Sequence, residues 1–275
     1  MLSIAICNHK GGTGKTTTVL HVAASLGQAG YRTLVIDLDP QCFLSGILGV
    51  RAVAEEDSSL VLFDHRTDVG ALPVQSMQGF DLVPSTPNLT HALRRLNKPT
   101  DVLWVRELIT AGLPYDVVLF DTAAALTVYS LNALVASQHV LIPVTPEYQP
   151  VEGAEQTFKT VQLVRSKLNP ALHQPHFLFT QVDARKGDHR EFRRYLRSRY
   201  GDLVMRRTIR TSAILAKRFG DGTTAFDHDP HARGVLDYTD ATRELLTRMD
   251  APRPAEAPSP RSPLAVPQQP GSTAA

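Results

Sequence analysis

Cysteine is almost missing from this 275-residue chain, which holds two, Cys7 and Cys42. Two thiols are too few for a disulfide framework or a four-thiolate metal site within one chain, so a reducing cytoplasm fits best. An excess of one charge is missing too. The 29 basic and 27 acidic residues leave a formal net charge of +2, and bulk charge alone predicts no polyanionic partner. Long apolar runs are also lacking. The run near the N-terminus covers about six residues without a preceding basic segment, and nowhere do about 18 uncharged apolar residues stand together. Neither secretion nor membrane spanning is expected.

What is present is a core. Hydrophobic residues make up 43% of the chain, ample for a packed domain, and this excludes disorder of the whole. Composition changes after Asp250: the last 25 residues hold 7 of the 19 prolines and no aromatic residue. Residues 250–275 therefore read as a disordered tail and residues 1–249 as one domain. Within that domain short apolar runs alternate with amphipathic segments, the pattern of an α/β fold with a mostly parallel twisted sheet flanked by helices. Candidate strands are 2–8, 33–37, 81–84, 117–121, 140–144, 177–180 and 204–209. A helix is expected over 16–29, where Val19, Leu20, Val22, Ala23 and Leu26 recur at helical spacing and Gly30 stops the run.

The first strand runs into Lys10-Gly11-Gly12-Thr13-Gly14-Lys15-Thr16-Thr17. Such glycines let backbone N–H groups converge on phosphate oxygens at a helix N-terminus; Lys15 would reach the β and γ phosphates and Thr16 would ligate magnesium. The common P-loop rule asks for glycine where this chain has His9, so the loop is a variant in which Lys10 precedes a glycine pair. Asp37 and Asp39 lie at the carboxyl edge of the second strand, where open α/β sheets bind ligands. Alternation puts both on one side if the strand continues, and spacing alone does not choose between them. Asp121 ends a fully apolar run, as expected of a buried central strand that delivers a carboxylate.

KGGTGKTTT together with VIDLDPQ resembles the ParA family of deviant Walker-type ATPases, which includes the ParA/Soj and MinD branches. Further stretches agree: VPSTPNL at 83–89, YDVVLFD at 115–121, SLNAL at 130–134, PVTPEYQPVEG at 143–153, and the pair Asp183 and Arg185. The resemblance covers roughly residues 1–249. It implies an ATP-binding P-loop NTPase in which Lys10 contacts phosphate across an ATP-sandwiched homodimer. It further implies that Asp39 orients the attacking water and that Asp121 closes the magnesium shell through water. One departure stands out: Thr122-Ala123-Ala124-Ala125 replaces the family's usual residue and two prolines, which bears on the rate of hydrolysis more than on nucleotide binding.

The neutral total hides a basic segment. Between Asp183 and Arg218 twelve basic and four acidic residues give a local +8, leaving −6 for the remainder. Arg190, Arg193, Arg194 and Arg197 recur at helical spacing on one face, with Phe192 and Leu196 on the other. Arg206, Arg207, Arg210, Lys217 and Arg218 follow. Such a stripe points to sequence-independent binding of double-stranded DNA through phosphates. The resemblance adds a ParB-like or cargo adaptor partner that stimulates slow hydrolysis, and a nucleoid-associated, cytoplasmic protein moving a chromosome, plasmid or protein assembly. With nine residues ahead of Lys10, a separate operator-reading domain is not expected. A membrane-bound positioning ATPase of the MinD kind would use an amphipathic C-terminal helix, which a proline-rich end does not offer. A nucleotide-gated DNA-binding module with negligible turnover is the other alternative. His228, Asp229 and His231 lack a fourth ligand, so no metal site is expected there. Trp104 and the aromatics at 192–200 read as packing residues.

Overall fold

The computed structural model describes residues 1–52, 54–63, 69–92, 96, 98–252 and 254. In chain order it contains β1 (Leu2–Ile6), α1 (Lys15–Gln28), β2 (Thr33–Asp37), α2 (Phe43–Ile47), β3 (Gln75–Ser76), β4 (Asp81–Val83), α3 (Leu89–Ala92), α4 (Trp104–Thr110) and β5 (Val117–Asp121). There follow α5 (Val128–Ala136), β6 (His139–Val144), α6 (Tyr148–Lys167), β7 (His176–Val182), α7 (Gly187–Tyr200), β8 (Val204–Arg210), α8 (Ala225–His228) and α9 (Arg233–Arg248).

Eight strands form one sheet in the order β3-β4-β2-β5-β1-β6-β7-β8. All neighbours run parallel except β3 with β4. The central strands β1, β2, β5 and β6 are buried along their whole length, and each is a short aliphatic run. That is what a sheet covered on both faces selects, because no residue of such a strand meets water. One layer of core joins α5, α6 and α7 to the sheet; the other joins α1 and α9.

All seven expected strands form, within one to two residues of their bounds, and α1 begins at Lys15 rather than 16. The short β3 was not foreseen. It has two residues and pairs only at Gln75 with Leu82 and Ser76 with Asp81, too little sequence to show a period of two. The tail read from 250 onward lies, beyond residue 254 and at 253, outside the described residues. Among the described residues no helix is long and apolar enough to cross a membrane.

Candidate functional site

The sheet order places the carboxyl ends of β1, β2 and β5 side by side, and everything that could handle a phosphate gathers above them. In register, Asp37 of β2 pairs with Asp121 of β5, and Asp121 in turn with Ile6 of β1. The loop 8–14 leaves β1 at this edge. Gly14 lies at φ +83°, a left-handed turn that glycine adopts without strain, and it hands the chain to α1 with no side-chain cap. The first turn of α1 contains no acidic residue. Its N–H groups and the positive end of its dipole are thus left for an anion.

Long-range contacts hold the loop in this shape. Asn8 donates its amide to Pro143 O at 2.8 Å and accepts from Lys10 N–H at 2.9 Å, while His9 N–H reaches the Thr157 hydroxyl at 2.9 Å. From β7, Thr180 donates to Thr13 O at 2.8 Å and Gln181 to Gly12 O at 2.7 Å. Gly153 of α6 allows the helix to press on the loop, since a Cβ there would stand 2.8 Å from Lys10 Cβ. The Lys15 ammonium donates to Lys10 O at 3.2 Å, curled over the loop as it would lie over phosphate oxygens. Burial lowers its pKa, against the opposing pull of Asp121 and Asp39.

Three carboxylates stand at this edge of the sheet, and two of them, Asp121 and Asp39, act on the lysine. Asp37 is fully buried and spends both oxygens inside the protein: it accepts from Asp39 N–H at 3.1 Å and from the Ser45 hydroxyl and N–H at 2.6 and 3.1 Å. Asp39 is turned toward the cavity and accepts from Gln41 N–H at 2.9 Å. The strand ends at Asp37, and this separates two residues that alternation left equivalent: Asp37 is a buried structural acceptor and Asp39 lines the opening.

Asp121 differs from both. It is wholly buried and neither of its oxygens has a hydrogen-bond partner. Burial first, then the adjacent Asp37 charge, hold its carboxyl well above the ordinary range; the Thr16 hydroxyl and Lys15 pull it back. Burial likewise pushes Asp37 up to about 6. An orphaned buried carboxylate beside a threonine hydroxyl, with no positive partner in hydrogen-bond contact, is a donor set that fits a hard divalent cation. Among the described residues no group of three or more His, Cys, Asp or Glu could hold a metal by itself.

These groups surround an open cavity of about 640 Å³ lined by Gly11, Gly12, Gly14, Lys15, Thr16, Thr17, Asp39 and Gln181, with Ala123, Ala124 and Ala125 on its far side. The alanine segment is pinned at both ends despite its missing prolines. Thr122 donates to Ile6 O at 2.9 Å, and Thr127 caps α5 while Ser130 donates to Ala125 O at 2.9 Å. Sequence reading missed Asn8, Ser45, Gly153, Thr157, Thr180 and Gln181, although Gly153 stood within the quoted stretch 143–153.

The basic residues form a second region. α7 carries Arg190, Arg193, Arg194 and Arg197 around a shallow groove, with Leu196 fully buried beneath. The four are not equivalent: the Arg193 guanidinium lies 6.0 Å over the Phe179 ring, and burial, then Arg197, lower its pKa. On β8, Arg207 and Arg210 are paired with Asp240 and Asp237, while Lys217 and Arg218 are exposed in the following loop. Elsewhere His228 bonds the Thr223 hydroxyl at 2.7 Å and stacks on Phe219 at 3.9 Å. Trp104 packs near Phe63 with ring centroids 6.4 Å apart.

Known proteins are similar to this chain in sequence and fold. The family described as an AAA domain matches residues 1–174. The chain is 35% identical over 246 residues to the chromosome-partitioning ATPase Soj of Thermus thermophilus, a match covering 90% of this chain and 96% of that protein. It is 33% identical over 246 residues to the sporulation initiation inhibitor protein Soj of Bacillus subtilis, covering 88% and 97%. Among solved structures, cobyrinic acid a,c-diamide synthase from Mycobacterium smegmatis with bound ADP and magnesium superimposes with a TM-score of 0.72 at 26% identity, covering 94% of this chain and 100% of that one.

Proposed function

The chain belongs to the ParA/Soj family of P-loop partition ATPases, and on that footing we propose that it works as an ATP-gated dimer that binds DNA without regard to sequence and is released by a ParB-like or cargo adaptor partner. The observation that carries the nucleotide half is the unpartnered Asp121 carboxylate set between Thr16 and Lys15. Lys15, the Gly11–Gly14 backbone and the first turn of α1 bind and orient the phosphates. Thr16, and Asp121 through water, would hold the magnesium ion, which when bound offsets the negative charge that phosphoryl transfer spreads over the γ-phosphate oxygens.

Asp39 holds the attacking water in line. Its position at the cavity mouth, against the internal engagement of Asp37, supports that assignment. Lys10, half-buried at the rim, is the residue that reaches a nucleotide in the second protomer. In this reading the α7 stripe supplies the phosphate contacts to DNA, and the protein works on the nucleoid in the cytoplasm. Slow basal turnover rises when DNA and partner are both present.

Purified protein tests this with three measurements. Lys15→Ala should abolish ATP binding, whereas Lys10→Ala should bind ATP like wild type and stay monomeric in light scattering. Wild type should bind a nonspecific duplex far better with ATP than with ADP. Dimerisation of Lys10→Ala equal to wild type would refute the role across the dimer.

A further inference from the structure

The basic residues of the carboxyl-terminal third fall into two classes by what they touch. Of the α7 stripe, Arg190, Arg194 and Arg197 are exposed around the groove and Arg193 is half-buried over Phe179. The arginines of β8 instead meet acidic residues of α9, and those acids are not alike. Glu244 accepts the backbone N–H groups of Arg206 and Arg207 at 2.8 and 2.7 Å, and Asp237 accepts that of Arg210 at 2.9 Å. Both are committed to capping the free edge of the sheet, a standard protection of an edge strand.

Asp240 takes no backbone donor. Its two oxygens receive one guanidinium each, Arg207 Nη1 at 3.0 Å and Arg243 Nη1 at 3.1 Å, and the three side chains are 38%, 59% and 73% exposed for Asp240, Arg207 and Arg243. Two exposed guanidinium groups, one from a strand edge and one from a helix, thus converge on a single small oxyanion. This is the arrangement by which arginines grip a backbone phosphate. Arg197 of the stripe reaches Arg206 O at 3.4 Å, so the stripe and this pair approach the same edge strand from the two faces of the sheet.

We propose that Arg207 and Arg243 form a clamp for a DNA backbone phosphate and that Asp240 occupies the phosphate position in the free protein, so that Asp240 sets how tightly DNA is held. The inference rests on the DNA-binding reading above. An exposed ion pair holds its partners weakly, and an incoming phosphate adds the release of condensed counterions that an internal carboxylate does not. Asp240 therefore yields to DNA at low salt and competes with it as salt rises.

Fluorescence anisotropy with a labelled nonspecific duplex of about 30 base pairs, in ATP and magnesium across a salt series, tests the clamp. Asp240→Asn should bind roughly five-fold tighter at moderate salt, and its log–log salt slope should steepen by about 0.9 for each added phosphate contact. Arg207→Ala alone should weaken binding at low salt and change it little at moderate salt, where Asp240 holds the position; placed in Asp240→Asn it should remove the whole gain. Asp240→Glu should behave as wild type. If wild type binds and Asp240→Asn binds equally, or if its gain survives Arg207→Ala, the clamp is overturned alone. If neither protein binds DNA, the DNA-binding interface falls and the clamp with it.

Discussion

Asp37 and Asp121 sit opposite each other on adjacent strands, both wholly buried. Their chemistry follows from that register. The folded state raises the Asp37 carboxyl from 3.8 to about 6, so the protonated form stabilises the fold, and that stability is lost as pH rises through this window. Buried His21 and His139, both lowered to about 4 by burial first, act the opposite way over about 4 to 6.5. The sign is therefore read from a difference. In urea unfolding of nucleotide-free protein, the midpoint of Asp37→Asn should gain on wild type between about pH 4 and 6 and level off above that. A constant gap would show that Asp37 is ionised throughout. At this scale the glycine loop, Lys15 and Asp121 are announced by neighbours in sequence, whereas spacing leaves Asp37 and Asp39 equivalent and only the family resemblance points to Asp39. Ser45 and Asn8 were not legible, since their partners, Asp37 for one and Pro143 for the other, lie 8 and 135 residues away.

Elements were legible wherever a period was long enough to count. The aliphatic runs of β1, β2, β5 and β6 and the arginine spacing of α7 all formed as read. What the helical period could not show is which helix presses on which loop. α6 reaches the nucleotide loop through Gly153, where a methyl group would meet Lys10 Cβ at 2.8 Å and Asn8 Oδ1 at 3.0 Å. Gly153→Ala should therefore push the rim of the loop outward without disturbing the core. ATP affinity measured by calorimetry should fall about ten-fold while the thermal midpoint changes by a few degrees, as an overpacked contact costing about 1–3 kcal/mol would give. Unchanged affinity would mean that the loop rim is free to move. The same scale corrects the reading of the basic segment. Charge counting summed β8 with α7, but the α9 carboxylates Asp237, Asp240 and Glu244 engage the arginines of β8, and no sequence pattern near 206–210 reveals residues 237–244.

Taken whole, the molecule separates its two tasks along one sheet. The carboxyl ends of β1, β2 and β5 gather the nucleotide groups, and the edge strand β8 with α7 gathers the basic ones. The parallel α/β architecture was legible from alternation of short apolar runs with amphipathic stretches. Strand order was not, because β5 inserts between β1 and β2 through pairings as distant as Leu2 with Val117 and Thr33 with Val117. A consequence follows from the two paired aspartates. A protein that carries carboxyls held up toward neutrality is itself a weak acid, and a cation entering beside them makes it a stronger one. Loading magnesium ATP near pH 6 should expel protons into the medium. Titrations in buffers of unlike ionisation enthalpy should give heats that vary linearly with that enthalpy, and Asp121→Asn should shrink the slope; identical heats in every buffer would count against it. Nucleotide loading in this protein would then release acid, and nucleotide departure would take it up again.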